Sequence, residues 1–432
     1  MIVDGRHRVP GDKSLTHRAL FLSALCRGES SVEGALTSLD ARSTASFLRA
    51  LGVQVGPLRS GRRLRIRAPK RLVVPNRVLD CGNSGTTARL GMGLLSAQPF
   101  ASTIDGDRSL RRRPMRRVAE PLRAMGATIT TPESDGLPVM VQGGSLQPIE
   151  WELPVSSAQL KGAILLAAVA GAVPVRVREP SGQSRDHTER MLRAQGYSVS
   201  QDADGWIGFV PDGQLRPGTL QVPGDISSAA FLVGAATLAT EGEIRLVEVG
   251  VNPTRIGFLD VLGRMGCTVE QRAMTEWSGE PVADLVVRPS QLQATEVMAH
   301  EIPGLIDEVP LLAVLASRAE GTTVFREVGE LRVKESDRLA LIASNLIALG
   351  VAARAEANTL WVTGSDRPPI GRVVTAGDHR IAMAFAILGT LEHASVEIDD
   401  LQCAEVSFPQ FLSVLQGLSR DESFSLPGLR VG

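Results

Sequence analysis

The segment Phe47-Leu48-Arg49-Ala50-Leu51-Gly52-Val53 has the pattern of a helix end that a glycine closes before an apolar strand begins. Glycine suits the left-handed backbone position at which helices commonly end. A fixed period of tens of residues indicates a repeated structural unit. The phrase occurs five more times, more weakly in the last copy, and ends at Gly126, Gly196, Gly266, Gly350 and Gly417, at intervals of 74, 70, 70, 84 and 67 residues.

A second series of segments alternates with the first and is rich in small apolar residues. These segments are apolar nearly all round, so we expect them to be buried helices. Together the two series predict an α/β fold made of six repeats of about 70 residues. The buried helices are expected to begin near Ser14, Gly85, Ser157, Ser227, Asp307 and His379.

One phrase occurs only twice and suggests how the six repeats are divided. Val9-Pro10-Gly11-Asp12 returns as Val222-Pro223-Gly224-Asp225, 213 residues later, which is the length of three repeats. Pro-Gly pairs mark turns, so both phrases are candidate crossings between domains. The sequence therefore predicts one domain over residues 12–224 and a discontinuous second domain over residues 1–11 and 225–432.

Composition excludes several classes of protein. The 432 residues carry 46 basic and 47 acidic side chains, which gives no electrostatic reason to bind nucleic acid. Four scattered cysteines and six dispersed histidines suggest neither a metal site nor disulfides. The longest apolar stretch, 162–175, is shorter than the roughly 20 residues of a membrane span. The charged start of the chain lacks the apolar run of a signal peptide, so we expect a cytoplasmic protein without a membrane partner.

The polar residues of the sequence gather where the buried helices begin. A helix N-terminus presents unpaired N–H groups and a partial positive charge, so it attracts anions. The alternative is that these residues only cap their helices. The helix-start residues are Lys13, Ser14, Arg18, Asn83, Gly85, Ser157, Gln159, Asp307, Glu308, His379 and Arg380.

Two charged segments lie outside the helix starts. Residues 108–117 hold six arginines, and 334–338 alternate basic and acidic residues at helical spacing. Arginine matches carboxylate and phosphate oxygens, although a solvated loop and ordinary intrahelical ion pairs would also account for these segments. No phosphate loop, dinucleotide fingerprint, zinc motif or serine nucleophile motif is present. The residues alone predict a two-domain enzyme with a cationic cleft and acidic groups for proton transfer.

These motifs, in order along nearly the whole chain, resemble the 5-enolpyruvylshikimate-3-phosphate synthase family. The resemblance rests on Pro-Gly-Asp-Lys13-Ser14 with Arg18, Gly-Asn83-Ser-Gly85-Thr-Thr, Gly-Asp-Arg-Ser-Leu-x-x-Arg113-Pro-Met, Ser157-Ala-Gln159, Ser184-Arg185-Asp-His-Thr-Glu, Ile-Pro-Gly-Leu-Ile-Asp307-Glu, Arg-Val-Lys334-Glu335-Ser-Asp-Arg338 and Asp378-His379-Arg380.

The resemblance implies the enolpyruvyl transferase fold: two similar domains, each an inside-out α/β barrel of three βαβαββ units, with the active site in the cleft between them. It also implies a reaction, in which the enolpyruvyl group of phosphoenolpyruvate passes to the 5-hydroxyl of shikimate 3-phosphate through a tetrahedral intermediate and phosphate is released. This shikimate-pathway step of aromatic amino acid biosynthesis needs no cofactor and no metal. The family is the target of glyphosate. We expect a monomer.

The resemblance assigns roles by position. Lys13, Asp307 and Glu335 are the implied catalytic residues, with Asp307 as the base toward the hydroxyl and Glu335 as the acid at the methylene carbon. Shikimate 3-phosphate is expected to contact Lys13, Ser14, Arg18, Ser157, Gln159, Ser184, Arg185, Asp307 and Lys334. Phosphoenolpyruvate is expected to contact Lys13, Asn83, Gly85, Arg113, Gln159, Arg338, His379 and Arg380.

Two residues depart from this scheme. Val406 stands where the family often has a lysine that contacts phosphoenolpyruvate, and Lys161, one of only four lysines, has no role that the sequence suggests.

Two alternative functions stay open. UDP-N-acetylglucosamine enolpyruvyl transferases are related, but they typically carry Lys-Asn where this chain has Lys13-Ser14, and a cysteine in the loop 106–114. A non-catalytic anion-binding relative would not need Asp307 and Glu335.

Overall fold

The computed structural model describes residues 1–180, 182–420, 426 and 428–431, so the expected end of the second domain at residue 432 lies outside the described part. The described α-helices are α1 Lys13–Leu25, α2 Leu39–Ala50, α3 Gly85–Ser96, α4 Arg116–Ala124, α5 Ala158–Gly171, α6 His187–Ala194, α7 Ile226–Thr237, α8 Gly257–Arg264, α9 Ile302–Leu305, α10 Val309–Ala316, α11 Arg338–Ala348, α12 His379–Leu388 and α13 Phe411–Gln416.

Short strands alternate with these helices, and three 3-10 helices lie at Leu110–Arg112, Gly329–Val333 and Gln402–Val406. The described strands are β1 Ile2–His7, β2 Glu29–Glu33, β3 Gln54–Val55, β4 Leu64–Arg67, β5 Leu79–Asp80, β6 Ala101–Asp105, β7 Thr128–Thr130, β8 Val139–Gln142, β9 Ile149–Glu152, β10 Val175–Arg178, β11 Ser198–Gln201, β12 Trp206–Val210, β13 Thr219–Gln221, β14 Glu241–Gly250, β15 Glu270–Trp277, β16 Glu280–Val287, β17 Glu296–Val297, β18 Thr322–Phe325, β19 Ala353–Glu356, β20 Thr359–Thr363, β21 Ile370–Val373, β22 Ser395–Ile398 and β23 Leu429–Val431.

The chain divides into two compact units. The inserted unit comprises Gly11–Pro223 and the short segment Glu276–Glu280. The interrupted unit comprises Met1–Pro10, Gly224–Thr275 and the chain from Pro281 onward. Each unit buries its own apolar core, so each has the packing that an independent domain requires.

The described sheets show the repeated α/β unit that the sequence predicts. The elements β5, α3, β6, α4, β7 and β8 follow one another as one βαβαββ unit. Among the described strands, five sheets begin with a parallel pair, add an antiparallel third strand and end in a fourth. The sixth sheet, β21-β22-β23, is parallel throughout. The six sheets are β13-β2-β4-β3, β5-β6-β8-β7, β9-β10-β12-β11, β1-β14-β16-β15, β17-β18-β20-β19 and β21-β22-β23.

The two units complete their first sheets with strands from distant parts of the chain. In the inserted unit, β13 lies last in the sequence but pairs in parallel with β2. In the interrupted unit, β1 at the start of the chain pairs with β14. The Pro-Gly phrases mark these crossings, where Asp12 N–H donates to Pro223 O and Asp225 N–H donates to Pro10 O, both at 2.8 Å.

The predicted helices are buried along nearly their whole length. In the inserted unit α1, α3 and α5 present apolar or small residues on every side, and α7, α10 and α12 do so in the interrupted unit. Strands such as β4, β8 and β10 alternate buried and exposed residues, so their sheets cover the helices on one face and face solvent on the other. Within the described ranges, no helix has the length and apolarity needed to cross a membrane.

The glycines of the repeated phrase close their helices as predicted in five of six copies. Gly52, Gly126, Gly196, Gly266 and Gly350 have φ between +81° and +110°. The sixth, Gly417, has φ −67° and ends α13 in right-handed conformation. The last repeat therefore differs from the other five both in its sheet and in its helix end.

Helices α3 and α5 pack closely because glycines line their contact. A Cβ atom added at Gly93 would lie 2.2 Å from the carbonyl oxygen of Ala163. Leu90 packs toward Gly162 in the same way, since a Cβ at Gly162 would lie 3.2 Å from Leu90 Cδ2. Interiors are packed at crystal density, so this contact leaves no room for a methyl group.

A second feature of the inserted unit is a buried hydrogen-bond chain between three helices. His17 Nδ1 lies 2.6 Å from the Thr44 hydroxyl, which lies 2.6 Å from the Thr87 hydroxyl. Thr87 in turn donates to the hydroxyl of Ser84, the N-cap of α3, at 2.7 Å. Burial lowers the pKa of His17 well below its usual value, and the charge of Lys13 adds to the effect. The imidazole is therefore neutral in the folded chain.

We predict that Gly93→Ala destabilises the inserted unit. Overpacking costs about 1–3 kcal/mol, and a backbone carbonyl cannot rotate away from the added methyl, so we expect a loss of about 3 kcal/mol in the free energy of unfolding. Gly144→Ala is the matched control, because a Cβ there meets nothing within 4 Å. Urea unfolding measures both, and equal stability of the two variants would contradict the close contact of α3 and α5.

We also predict that His17 makes the fold acid-sensitive. The folded pKa lies below the unfolded value of 6.5, so below that pH only the unfolded chain gains the proton. Stability should then fall by about 1.4 kcal/mol per pH unit from this group. His17→Gln should flatten the dependence of the urea midpoint on pH between about 6.5 and 5.5. Fluorescence of Trp151 and Trp206 follows the inserted unit, and parallel curves for both proteins would refute the prediction.

Candidate active site

The start of α3 brings together the predicted residues Asn83, Gly85 and Arg113. Arg113 Nη2 donates to Asn83 Oδ1 at 2.7 Å, and Asn83 Nδ2 donates to Asp107 at 2.7 Å. A Cβ at Gly85 would lie 2.9 Å from Arg89 Nη1 and 3.2 Å from Arg113 Nη1. The absence of a side chain at Gly85 therefore lets two guanidinium groups approach the helix N-terminus, where an anion is favoured.

Arg89 belongs to this cluster, and the sequence analysis missed it. Its side chain is buried, Nη1 donates to Gln159 Oε1, and Nη2 donates to the carbonyl of Pro114 at 3.3 Å. Gln159 Nε2 donates to the Thr86 hydroxyl at 2.9 Å. The available signal was a single arginine one turn into an otherwise apolar helix. Arg89 links the predicted residue Gln159 to the start of α3.

Arg18 lies on α1 and is buried, and its hydrogen-bond acceptors in the described part of the chain are hydroxyl and carbonyl oxygens. It donates to the Thr188 hydroxyl at 2.8 Å and to the carbonyls of Ser14 and Ala158 at 3.0 and 3.2 Å. The pKa of Arg18 is lowered to about 10, mainly by burial; nearby carboxylates oppose this shift, and the charge of Arg185 adds to it. Two guanidinium groups that disfavour each other are stabilised by an anion placed between them.

Lys13 begins α1 and forms an ion pair with Asp40 of α2. Asp40 is buried, and the Lys13 side chain is 19% exposed. The sequence analysis did not single out Asp40, because Ser38-Leu39-Asp40 reads as an ordinary exposed helix start. The pair fixes the ammonium group and leaves part of it accessible.

Ser157 and Ser184 are joined through a third residue. Glu179, directly after β10, accepts hydrogen bonds from the Ser157 N–H at 2.9 Å and from both the N–H and the hydroxyl of Ser184. Ser157 is the N-cap residue of α5, and Ser184 is buried in the segment before α6. The predicted serines are therefore held together, by a residue that the sequence analysis did not identify.

In the interrupted unit, Arg338 is the centre of a group of carboxylates. Its Nε donates to Asp378 at 2.8 Å, its Nη2 to Glu335 at 2.6 Å, and its Nη1 lies 3.4 Å from Asp307. Burial opposes the charge of Arg338, but the three carboxylates outweigh it and raise the pKa. Three predicted residues, Asp307, Glu335 and Arg338, are therefore brought into one cluster.

Asp378 is the N-cap of α12 and also accepts from the Ser336 hydroxyl at 2.8 Å. Burial alone would raise the pKa of Asp378, but the adjacent Arg338 charge outweighs burial and lowers it. Segment 334–337 is not helical, since α11 begins at Arg338 with Asp337 as its N-cap. The charged and polar residues of this segment therefore contact other segments, in addition to forming the Glu335–Arg338 pair.

Arg380 joins the same cluster from α12. Its Nη1 donates to the Asp307 carbonyl at 3.1 Å, and its guanidinium lies 3.6 Å from the Asp307 carboxylate and 3.5 Å from that of Glu308. Glu308 accepts from the Ser227 hydroxyl, which also accepts from Arg255 Nη2 at 2.6 Å. Arg255, fully buried, was not recognised in the sequence.

The remaining predicted residues lie beside this cluster. His379 is buried at the first position of α12, and Lys334 is half-buried directly after a 3-10 helix. Val406 ends the 3-10 helix Gln402–Val406, which contacts α12. Among the described residues, no group of three or more His, Cys, Asp or Glu side chains is arranged to hold a metal ion.

The two clusters differ in charge. In the inserted unit, Arg18 and Arg89 donate hydrogen bonds to hydroxyl, carbonyl and carboxamide oxygens. In the interrupted unit, Arg338 and Arg380 are surrounded by carboxylates. One cluster is suited to bind anions, and the other combines cations with groups that can exchange protons.

Known proteins match nearly the whole chain. The family model for EPSP synthase (3-phosphoshikimate 1-carboxyvinyltransferase) matches residues 2–415. A protein of Desulforudis audaxviator named 3-phosphoshikimate 1-carboxyvinyltransferase is 46% identical over 416 residues, 96% of each chain. One of the same name from Paramagnetospirillum magneticum is 48% identical over 427 residues, 96% of this chain and 94% of that one.

Solved structures agree. EPSP synthase of Acinetobacter baumannii superposes with a TM-score of 0.84 at 38% identity, covering 97% of this chain and 96% of that one. The enolpyruvyl transferase NikO of Streptomyces tendae gives 0.74 at 17% identity, covering 96% and 95%, which shows the shared enolpyruvyl transferase fold. The chain belongs to the EPSP synthase (3-phosphoshikimate 1-carboxyvinyltransferase) family.

Proposed function

We propose that the chain transfers the enolpyruvyl group of phosphoenolpyruvate to the 5-hydroxyl of shikimate 3-phosphate and releases phosphate, a shikimate-pathway step toward aromatic amino acids. Membership of the family over almost the entire chain carries this conclusion. The geometry supports it, because both substrates are anions and the inserted unit gathers buried cations at helix N-termini. The related transferase that uses UDP-N-acetylglucosamine is not favoured.

Shikimate 3-phosphate is assigned to the residues around Arg18. Its phosphate is a multiply charged anion, which the guanidinium groups of Arg18 and Arg185 attract. Hydroxyl and N–H groups of the serines complete the binding of its oxygens. The assigned residues are Lys13, Ser14, Arg18, Ser157, Gln159, Ser184, Arg185, Asp307 and Lys334.

Phosphoenolpyruvate is assigned to the residues around Gly85 and Arg338. Its carboxylate and phosphate each match the planar guanidinium fork of an arginine. The assigned residues are Lys13, Asn83, Gly85, Arg113, Gln159, Arg338, His379 and Arg380. Because both substrates are negative, these cations offset their mutual repulsion and hold the reacting atoms together, which can lower a barrier by several kcal/mol.

In the addition step, Asp307 removes the proton of the 5-hydroxyl as its oxygen bonds to C2 of phosphoenolpyruvate. Glu335 supplies a proton to the methylene carbon, and the product is a tetrahedral intermediate. Asp307 and Glu335 both contact the guanidinium of Arg338. The two proton transfers are therefore assigned to neighbouring carboxyl groups that share one fixed positive charge.

In the elimination step, Glu335 takes a proton back from the methyl carbon while the C2–O bond to phosphate breaks. The leaving phosphate gains negative charge, and Lys13, held by Asp40, stabilises it and can donate a proton. The products are the enolpyruvyl ether and phosphate.

We also propose that the protein acts as a cytoplasmic monomer. The family's biosynthetic role and the separate core of each unit support this proposal.

Replacing either carboxyl group by its amide should lower turnover far more than substrate binding. Asp307→Asn and Glu335→Gln should each lower kcat at least about 100-fold, because general acid–base catalysis contributes roughly 10²–10⁴-fold. Phosphate release from phosphoenolpyruvate and shikimate 3-phosphate measures the rate. Asp337→Asn is the matched control, since an amide oxygen can still cap α11, and it should keep turnover within about twofold of wild type.

Three outcomes would contradict this scheme. Near-normal turnover of Asp307→Asn or Glu335→Gln would remove the assigned proton transfers. Phosphate release only with UDP-N-acetylglucosamine would reassign the acceptor. No release with either acceptor would favour an anion-binding protein without this activity.

Gly85→Ala should weaken phosphoenolpyruvate binding selectively. The added methyl would press on the ends of Arg89 and Arg113, which are flexible enough to move, so the fold should persist. We expect the KM for phosphoenolpyruvate to rise about tenfold, equivalent to about 1.4 kcal/mol, with the KM for shikimate 3-phosphate nearly unchanged. Gly263→Ala, on α8 with nothing within 4 Å of its added Cβ, is the control. Equal KM values for the two variants would refute the assignment.

A further inference from the structure

Lys161, which the sequence left without a role, is a fully buried cation on α5. Its Nζ lies 2.8 Å from Glu179 Oε2, 2.7 Å from Glu189 Oε1 and 3.4 Å from the carbonyl of Ser184. Burial alone would lower the pKa of Lys161, but the two carboxylates outweigh it and raise the pKa. A charged ammonium is therefore held in the interior of the inserted unit by two acidic side chains.

The two carboxylates do different things. Glu179 binds Lys161 and also accepts from the Ser157 N–H at 2.9 Å, the Ser184 N–H at 3.0 Å and the Ser184 hydroxyl. Glu189, on α6, is as buried as Glu179, and its ion pair with Lys161 has the same length within 0.1 Å. The described contacts of Glu189 include none to either serine. Of the two carboxylates, Glu179 is therefore the one that connects the cation to the start of α5 and to the Ser184 side chain.

The charge of Lys161 explains how an acidic group can lie behind a phosphate site. A carboxylate one hydroxyl group away from a phosphate would repel it in a region of low dielectric constant. The ammonium, which Glu179 shares with Glu189, offsets part of that charge. It lies on the side of Glu179 away from the Ser157 N–H, which binds the other carboxylate oxygen. Glu179 can then orient the serines without excluding the anion.

We propose that Lys161 and Glu179 are positioning residues for shikimate 3-phosphate, which fix the backbones of Ser157 and Ser184 so that the serine hydroxyls meet the substrate phosphate. This inference rests on the proposed function. A phosphate dianion only accepts hydrogen bonds, so on binding the Ser184 hydroxyl turns its proton from Glu179 to a phosphate oxygen. Glu179 then keeps Lys161 and the two serine N–H groups as donors, and the loop stays in place.

A purely structural role for this ion cluster makes a different prediction. If the cluster only stabilises the fold, removing the charge of Glu179 or of Glu189 should lower stability alike and leave substrate binding alone. If Glu179 positions the serines, only its replacement should affect shikimate 3-phosphate. Glu179→Gln and Glu189→Gln are therefore a matched pair, because each removes one carboxylate from the same lysine and changes no side-chain length.

The test measures KM for each substrate, kcat and the urea midpoint of the full chain for wild type and both variants. We expect Glu179→Gln to raise the KM for shikimate 3-phosphate at least tenfold, with the KM for phosphoenolpyruvate within twofold of wild type. Glu189→Gln should leave both KM values within twofold, while the urea midpoint falls in both variants. Equal KM values for shikimate 3-phosphate in the two variants would overturn the proposal.

A second variant keeps the test decisive if Glu179→Gln does not fold. Glu179→Asp preserves the charge beside Lys161 but is one methylene shorter, so it cannot reach both serines and Lys161 together. It should raise the KM for shikimate 3-phosphate at least fivefold, and a wild-type value would overturn the proposal. Wild-type protein that releases no phosphate with shikimate 3-phosphate would refute the proposed function and the inference with it, whereas normal wild-type turnover with unchanged variants would refute the inference alone.

Discussion

The complete burial of the central helices constrains where charge can be placed in each unit. Along α1, α3 and α5, and along α7, α10 and α12, nearly every position faces other protein atoms. A charged group in such a place must be paired or hydrogen-bonded. The ends of these helices offer both conditions, since N–H groups there lack intrahelical partners and favour anions. This is why the candidate site residues cluster at helix starts rather than along helix faces.

The buried cations meet this constraint with different partners. Lys161 and Arg338 are equally buried, and each is balanced by more than one carboxylate. Arg18 donates to hydroxyl and carbonyl oxygens, and burial lowers its pKa. Under the proposed function, the substrate phosphate supplies the balancing charge. A site for two anionic substrates needs both kinds of cation. Some cations remain underneutralised to bind the substrates, and others hold the acidic groups that exchange protons in a fixed position.

The sequence was sufficient to predict the six repeats but not the partners of the buried charges. Helix starts at Gly85 and His379 were predicted because small apolar segments and their polar first residues are local signals, and the glycine ends held in five of six repeats. The pairs Lys13–Asp40 and Lys161–Glu179 join different secondary-structure elements. No local pattern encodes such pairs, since their partners are set by how helices pack against each other. For the same reason, the hydrogen bond from Arg89 to Gln159 could not be predicted from the local sequence.

The pairing of strands from distant parts of the chain has a consequence for folding during synthesis. Because β1 pairs with β14, β1 must wait after its synthesis until residues 241–250 have been made before it has this partner. During that time the inserted unit, whose closing strand β13 is made first, can complete its own sheet and core. An unpaired strand edge is prone to associate with other chains. β1 is an edge strand of its sheet, and Asp4 and Arg6 on it are charged and exposed. Charges on an edge strand oppose such association.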